Sequence, residues 1–409
     1  MTPLNPAPTS GAVVEAARAL VPVLRERAVR ADAERTVAAE TVELLDDAGL
    51  FHLLTPTELG GLGLDFGTAL RTTAQLSRGC ASTGWLRAVM GGNTWAVAQM
   101  DEAAQKEVLR EPGRRIALQL RASGPAAERV SGGYRLRQVR GRFCSGIDHA
   151  HWILAGLDIE PGEPGQAAVP HVVLIPAEDL TVVDDWHTLG LRGTGSRSFV
   201  IEETFVPEHR ALPLSELDPL TATRPRPDGP VYRMAFTAIG TVALTGVLLG
   251  TARAALDLYT ATGRHSSAVD VPELTGTVDA AEALLLTDLA LLTGAAVPGG
   301  NREERARMRR DIAWAGARCR DVVNTVFQHA GSGGVYDSAP LQRVWRDAHA
   351  AALHPTFDLT RWGGHYAAVA AAESETELES ESESGSERAG AVEGMAAAPE
   401  AGGVHRATP

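Results

Sequence analysis

The stretch from Ile116 to Val206 is patterned for β-structure and lies between two long segments patterned for helices, an order that few folds accept. Within it, short apolar runs alternate with Gly, Pro and Asp turns: Tyr134–Val139, His151–Ile159, His171–Ile175 and Phe199–Val206. Several show the period-two alternation of strands. Upstream, Val13, Ala17, Leu20, Val21 and Leu24 fall on one helix face, and a second helix over Ala39–Ala48 stops at Gly49. The Gly-rich PTELGGLG loop, Pro56–Gly63, interrupts the helical pattern, which resumes from Thr68 to about Arg110. Downstream, Tyr232–Ala371 is rich in Ala and Leu and long enough for a four-helix bundle. The expected fold class is α+β. Residues 1–115 form an N-terminal helical domain, 116–212 a middle β domain, 213–230 a Pro-rich linker, 231–372 a C-terminal bundle, and 373–409 a disordered acidic tail.

Charge narrows the partners. The net charge is −13, and the tail, with nine Glu and two Arg, carries −7 of it. The rest is mildly acidic with no basic stripe, which argues against nucleic acid. Three scattered cysteines, Cys80, Cys144 and Cys319, suit neither a disulfide framework nor a zinc site. Met234–Ala252 is uncharged and about long enough to cross a bilayer, but its Thr and Gly content and the flanking Arg233 and Arg253 favour a buried core helix. With no signal-peptide pattern at the start, a cytoplasmic enzyme away from membranes is expected.

Five landmarks stand in order: PTELGGLG at Pro56, ASTGW at Ala81, GRFCSGIDHAHW at Gly141, LGLRGTGSRSFVIEETFVPEHR at Leu189 and QRVWRDAHAAALHP at Gln342. On these the chain, over about residues 15–370, resembles the acyl-CoA dehydrogenase superfamily and, within it, the flavin-dependent monooxygenase branch. That branch includes two-component aromatic hydroxylases, sulfur-compound monooxygenases and amino-sugar N-oxygenases. The dehydrogenases of the superfamily need a Glu over the flavin as general base. Here the position matching that Glu, downstream of Arg346-Asp347-Ala348, is Pro355, and the alternative helix from Arg233 to Leu256 has no Glu or Asp. The resemblance therefore implies oxygenation: reduced flavin (FAD or FMN, left open) and O2 form a C4a-hydroperoxyflavin that hydroxylates or N-oxygenates a small organic substrate. It also implies a separate flavin reductase and a homotetramer or dimer. The alternative is an acyl-CoA dehydrogenase-like FAD dehydrogenase or oxidase, with a non-catalytic assembly role behind it.

The same resemblance assigns residues. His354 faces flavin and substrate as a neutral hydrogen-bond donor or proton acceptor, against the plainer role of capping a helix end before Pro355. Ser145 meets flavin N5, against a simple turn serine before Gly146. Phe143 packs near the flavin ring, Trp85 forms a pocket wall, and Ser82 and Thr83 reach flavin or substrate; plain core positions are the competing reading. Asn93 occupies the place where aromatic hydroxylases carry a phenolate-holding His, which disfavours a phenol activated in that way and favours an uncharged or amine substrate. Arg264 and Gln328 serve a neighbouring subunit's flavin, through its phosphate and adenosine portions. RGTGS, Arg192–Ser196, is either a ligand-approach loop or a turn between strands. No dinucleotide fingerprint or metal motif is present, so neither a nicotinamide site nor a metal is expected.

Overall fold

A computed structural model describes residues 8–109, 113–160, 166–236, 241–263 and 269–374. Arg264 and all but the first two residues of the acidic tail lie outside these ranges. The N-terminal part holds six helices: α1 Ser10–Ala19, α2 Val21–Glu34, α3 Ala39–Asp47, α4 Phe66–Gly79, α5 Ala81–Val97 and α6 Glu102–Leu109. Local chemistry sets their ends. Gly49 takes a left-handed φ of +68° just past α3, and the Asp65 carboxylate accepts the Thr68 N–H at 2.7 Å to start α4.

Eight strands follow: β1 Ile116–Gln119, β2 Glu128–Val130, β3 Gly133–Cys144, β4 Trp152–Ile159, β5 Val169–Pro176, β6 Thr181–Val183, β7 Arg197–Pro207 and β8 Ala211–Pro213. They form two four-stranded sheets, ordered β1-β4-β5-β8 and β2-β3-β7-β6. Only the β1–β4 pairing is parallel. Between the sheets, Ile153, Ala155, Val173 and Ile175 meet Leu136, Val139, Phe199 and Ile201. The other face of the first sheet sends Trp152, Leu154, Val172 and Leu174 into the helical core. Burial on both faces explains why β4 and β5 read as continuous apolar runs. The second sheet keeps one face in water, where Arg135 and Arg137 pair with Glu203.

The stretch at 213–230, expected as a linker, is a hydrogen-bonded strap. The buried Glu216 carboxylate accepts backbone N–H groups of Thr223 and Arg224, and the Arg226 guanidinium donates to the carbonyls of Glu216 and Tyr232. Beyond it come α7 Val242–Ala261, α8 Val271–Gly294, α9 Arg302–Gln328 and α10 Pro340–Ala352, with a last helix over residues 359–374. Helix α7 is long and apolar enough to cross a membrane, yet 83% of its most apolar window is buried inside the protein. It presses on α4 at two glycines: a Cβ on Gly246 would sit 2.6 Å from the Leu70 carbonyl oxygen, and one on Gly250 would sit 2.4 Å from that of Ala74. The apolar, uncharged sequence therefore serves a close helix–helix contact.

Gly250→Ala should destabilise the protein by about 1–3 kcal/mol, the usual cost of overpacking. Gly276, exposed within α8 with nothing within 4 Å of an added Cβ, is the control. Gly276→Ala should stabilise by about 0.5–1 kcal/mol. Urea denaturation of both variants checks the contrast, and equal shifts would contradict the packing argument.

Candidate active site

Ser145 owes its position to an irregularity in β3. The β3–β7 register runs Gly141↔Phe199 and then Cys144↔Arg197, so one residue on β3 is extra. Phe143 absorbs the bulge with φ +62°, and Gly141 yields to the Phe199 ring, which an added Cβ would meet at 2.2 Å. The chain then turns at Gly146, φ +75°, whose N–H donates to the Thr194 carbonyl at 2.9 Å. Ser145 is left buried, 6% exposed, with its hydroxyl inside the protein.

Three groups surround that hydroxyl. The Trp85 indole N–H, from α5, donates to Ser145 Oγ at 3.0 Å. Ser145 Oγ lies 2.7 Å from Ser196 Oγ, which lies 2.7 Å from Thr194 Oγ1. Thr194 Oγ1 in turn donates to the Leu191 carbonyl at 2.8 Å. The result is a buried line of hydroxyls running from the LGLRGTGS loop to Ser145.

His354 completes the group. Its ring meets the Trp85 ring edge-on, centroids 5.8 Å apart at 68°, and Phe357 lies 6.3 Å beyond. The expected capping role is also real, at the opposite end of a turn: His354 Nδ1 accepts the Thr356 N–H at 3.3 Å and starts the short 3-10 turn Pro355–Phe357. With Nδ1 an acceptor, the neutral ring carries its proton on Nε2. Burial among Trp85 and Phe357 pushes the imidazole pKa from 6.5 down to about 4, so the ring is neutral at pH 7. Among the described residues, no carboxylate is hydrogen-bonded to Ser145, Trp85 or His354. Asp257, the first acid on α7, is held by Arg78 at 2.5 and 2.6 Å.

The Arg-Asp pair of α10 fixes the loop that feeds the hydroxyl line. Asp347 is buried and accepts the Leu191 N–H at 2.6 Å; burial raises its pKa to about 6, while that N–H favours the ionised form. Arg346 forks onto Asp32 at 3.1 and 2.7 Å and donates to the Leu189 carbonyl at 2.7 Å. Gly190 permits the approach, since a Cβ there would lie 2.2 Å from the Arg346 carbonyl oxygen.

The other predicted residues divide. Phe143 is 64% exposed, braced by Trp186 at 6.1 Å; the bulge turns its side chain outward instead of into the sheet alternation expected for it. Asn93 is 1% exposed and donates from Nδ2 to the Ile116 carbonyl at 2.8 Å, which joins α5 to β1. Ser82 backs onto Gly193 and Thr83 hydrogen-bonds the Cys80 thiol, both buried on α5. Gln328 is exposed at the end of α9, and Arg264 lies outside the described residues. Sequence reasoning missed Thr194, Ser196 and Asp347. Two hydroxyls within the RGTGS loop were the visible signal for the first two.

These residues fit a flavin: a buried hydroxyl, an exposed aromatic ring beside it, and a neutral imidazole. Family models agree. The acyl-CoA dehydrogenase N-terminal domain matches residues 10–111, and the C-terminal domain matches residues 242–359. The oxygenase subunit HsaA of a flavin-dependent monooxygenase from Rhodococcus jostii (strain RHA1) is 32% identical over 366 residues, covering 84% of this chain and 94% of that protein. The oxygenase component of an FADH2-dependent resorcinol hydroxylase from Rhizobium sp. (strain MTP-10005) is 30% identical over 364 residues, covering 81% and 87%. The crystal structure of the HsaA monooxygenase from M. tuberculosis superposes with a TM-score of 0.80 at 31% identity, covering 88% of this chain and 97% of that one. The chain belongs to the acyl-CoA dehydrogenase superfamily, in its flavin-dependent monooxygenase branch.

The depressed His354 pKa has a sign that can be tested. Between pH 6.5 and about 4 the unfolded chain binds a proton that the native imidazole refuses, so stability falls as pH falls through that window. His354→Asn should remove this part of the slope. Denaturation midpoints measured from pH 7 to 4 check it, and parallel curves for wild type and variant would refute it.

Proposed function

We propose that this flavin-dependent monooxygenase places one oxygen atom of O2 on a small aromatic substrate bound beside His354. Bound reduced flavin supplies the electrons and the O2 chemistry. A separate reductase provides that flavin, in keeping with relatives named as oxygenase subunits or components. The observation that carries the reading is the gathering of Ser145, Trp85 and His354 with no carboxylate hydrogen-bonded to them.

Each residue has a definite task. Ser145 holds the N5 edge of the flavin from a buried position. His354, neutral and with its proton on Nε2, donates a hydrogen bond to oxygen in a site where the ring keeps its protonation state across the neutral range. Trp85 locks Ser145 through its N–H and presents its ring to His354, so one side chain fixes both partners. Phe143, exposed and braced, covers the flavin ring. A desaturase would need a carboxylate base, and the buried acid of the same motif, Asp347, is bound to the Leu191 N–H. The aromatic substrate class is supported by the names of the relatives, one a resorcinol hydroxylase. With Asn93 buried against Ile116, ring recognition rests on shape and on His354. A cytoplasmic homotetramer using FAD or FMN is part of the reading, with Gln328, exposed at the end of α9, and Arg264, outside the described residues, serving a neighbour's flavin.

The test is to mix the protein and anaerobically reduced flavin with O2 and a panel of small phenols and indoles, then measure oxygenated product against hydrogen peroxide. Wild type should form product with little peroxide. His354→Ala should cut product formation on the order of a hundredfold, with peroxide rising to match. Ser145→Ala should shift the yield the same way. Full product yield from both variants would remove the assignment.

A further inference from the structure

We propose that α9 positions His354 for the reaction: Arg309 and Gly316, on one face of that helix, dock the turn that carries the imidazole. The inference rests on the role given to His354 above and adds four positioning residues, Arg309, Gly316, Phe357 and Trp362.

His354 stands in the link between α10 and the helix over residues 359–374. Its local bonds close the turn without aiming it. Nδ1 accepts the Thr356 N–H at 3.3 Å, and the His354 carbonyl accepts the Phe357 N–H at 2.9 Å. A ring on so short a link needs outside anchors to keep its place against Trp85.

Helix α9 supplies two. Arg309 and Gly316 are seven residues apart, so they share a helix face about 10 Å apart. At Gly316 the Phe357 ring lies on the backbone, where an added Cβ would sit 2.4 Å from its Cδ1. Phe357 is buried, and its ring centroid is 6.3 Å from that of His354. At Arg309 the anchor is Trp362. The guanidinium lies 4.5 Å from the indole centroid, and Arg361 lies 4.8 Å from the same ring. Burial, then the Arg361 charge, lowers the Arg309 pKa to about 10, and no carboxylate offsets either effect. Arg309 is still charged at pH 7, and the Trp362 ring is what it grips. The Trp362 indole N–H donates to the Pro355 carbonyl at 3.0 Å, on the residue next to His354. Two routes from one helix thus converge on a single imidazole. Burial alone depresses the His354 pKa, with no charged group contributing, so its titration reports how firmly the ring is held.

The experiment follows the His354 ring by NMR of the full chain labelled at histidine, with His354→Asn identifying the signal. Wild type should titrate at about 4. Gly316→Ala drives a methyl into Phe357, and Trp362→Phe keeps an aromatic ring against Arg309 but removes the indole N–H. Both should titrate closer to the ordinary 6.5. With anaerobically reduced FAD, O2 and the phenol and indole panel, Trp362→Phe should lower the ratio of product to peroxide roughly two- to tenfold, the worth of one hydrogen bond. Affinity for reduced FAD should hold, and in a His354→Ala background Trp362→Phe should cost nothing further. An unchanged titration in both folded variants, or a full additional loss in that background, would overturn the docking and leave the oxygenase reading intact. A moved titration with undiminished product would overturn the role given to His354, and this inference with it.

Discussion

The backbone of Leu191 joins three parts of the protein, and the site depends on that joint. Its N–H goes to the buried Asp347 on α10, and its carbonyl accepts the Thr194 hydroxyl, the Thr194 N–H and the Trp186 indole. A left-handed φ of +52° at a β-branch-free leucine is uncommon, and it holds because donors and acceptors on both sides fix the peptide. A buried carboxyl is costly, and its pKa of about 6 records that cost. The short Leu191 N–H bond and the neighbouring Arg346 offset it. The Arg-Asp motif, a landmark of the superfamily, thus acts here as a latch between the helical bundle and the loop that serves Ser145.

From that latch the chemistry follows by subtraction and replacement. A general base of carboxylate type requires an acid over the flavin; Pro355 stands in the matching place, and Asp257 of α7 and Asp347 of α10 are engaged elsewhere. What remains is a buried hydroxyl and an imidazole held neutral by burial. Neither abstracts a proton from an unactivated carbon. Both can hold a reactive oxygen species by hydrogen bonding in a site from which water is largely shut out. The single indole of Trp85 ties the two together, contacting Ser145 through N–H and His354 through its ring.

The stiffness of the surroundings matters as much as the donors. Helices α4 and α7 touch backbone to backbone at Gly246 and Gly250, and the first sheet is buried on both faces. Such packing leaves little freedom for α5, which carries Trp85, or for β3 and β4, which flank Ser145. Next to the site, Phe143 and Leu353 are large apolar side chains left open to solvent.

Much of this was legible in the chain itself. Periodicity gave the helix–sheet–helix order, because a residue's face in a helix or strand follows from spacing alone. The empty base position at Pro355, and the hydroxyl and imidazole at Ser145 and His354, could be read from motif positions. Three things could not. Phe143 points outward because a bulge breaks its alternation, and that bulge exists only once β3 pairs with β7. Asn93 serves Ile116 because α5 packs beside β1. The hydrogen-bond partners of the Ser145 hydroxyl are Ser196, 51 residues away, and Trp85, 60 residues away. A hydroxyl can bond many groups in isolation; which ones it meets is decided only when folding closes the set of neighbours, so tertiary structure alone supplied them.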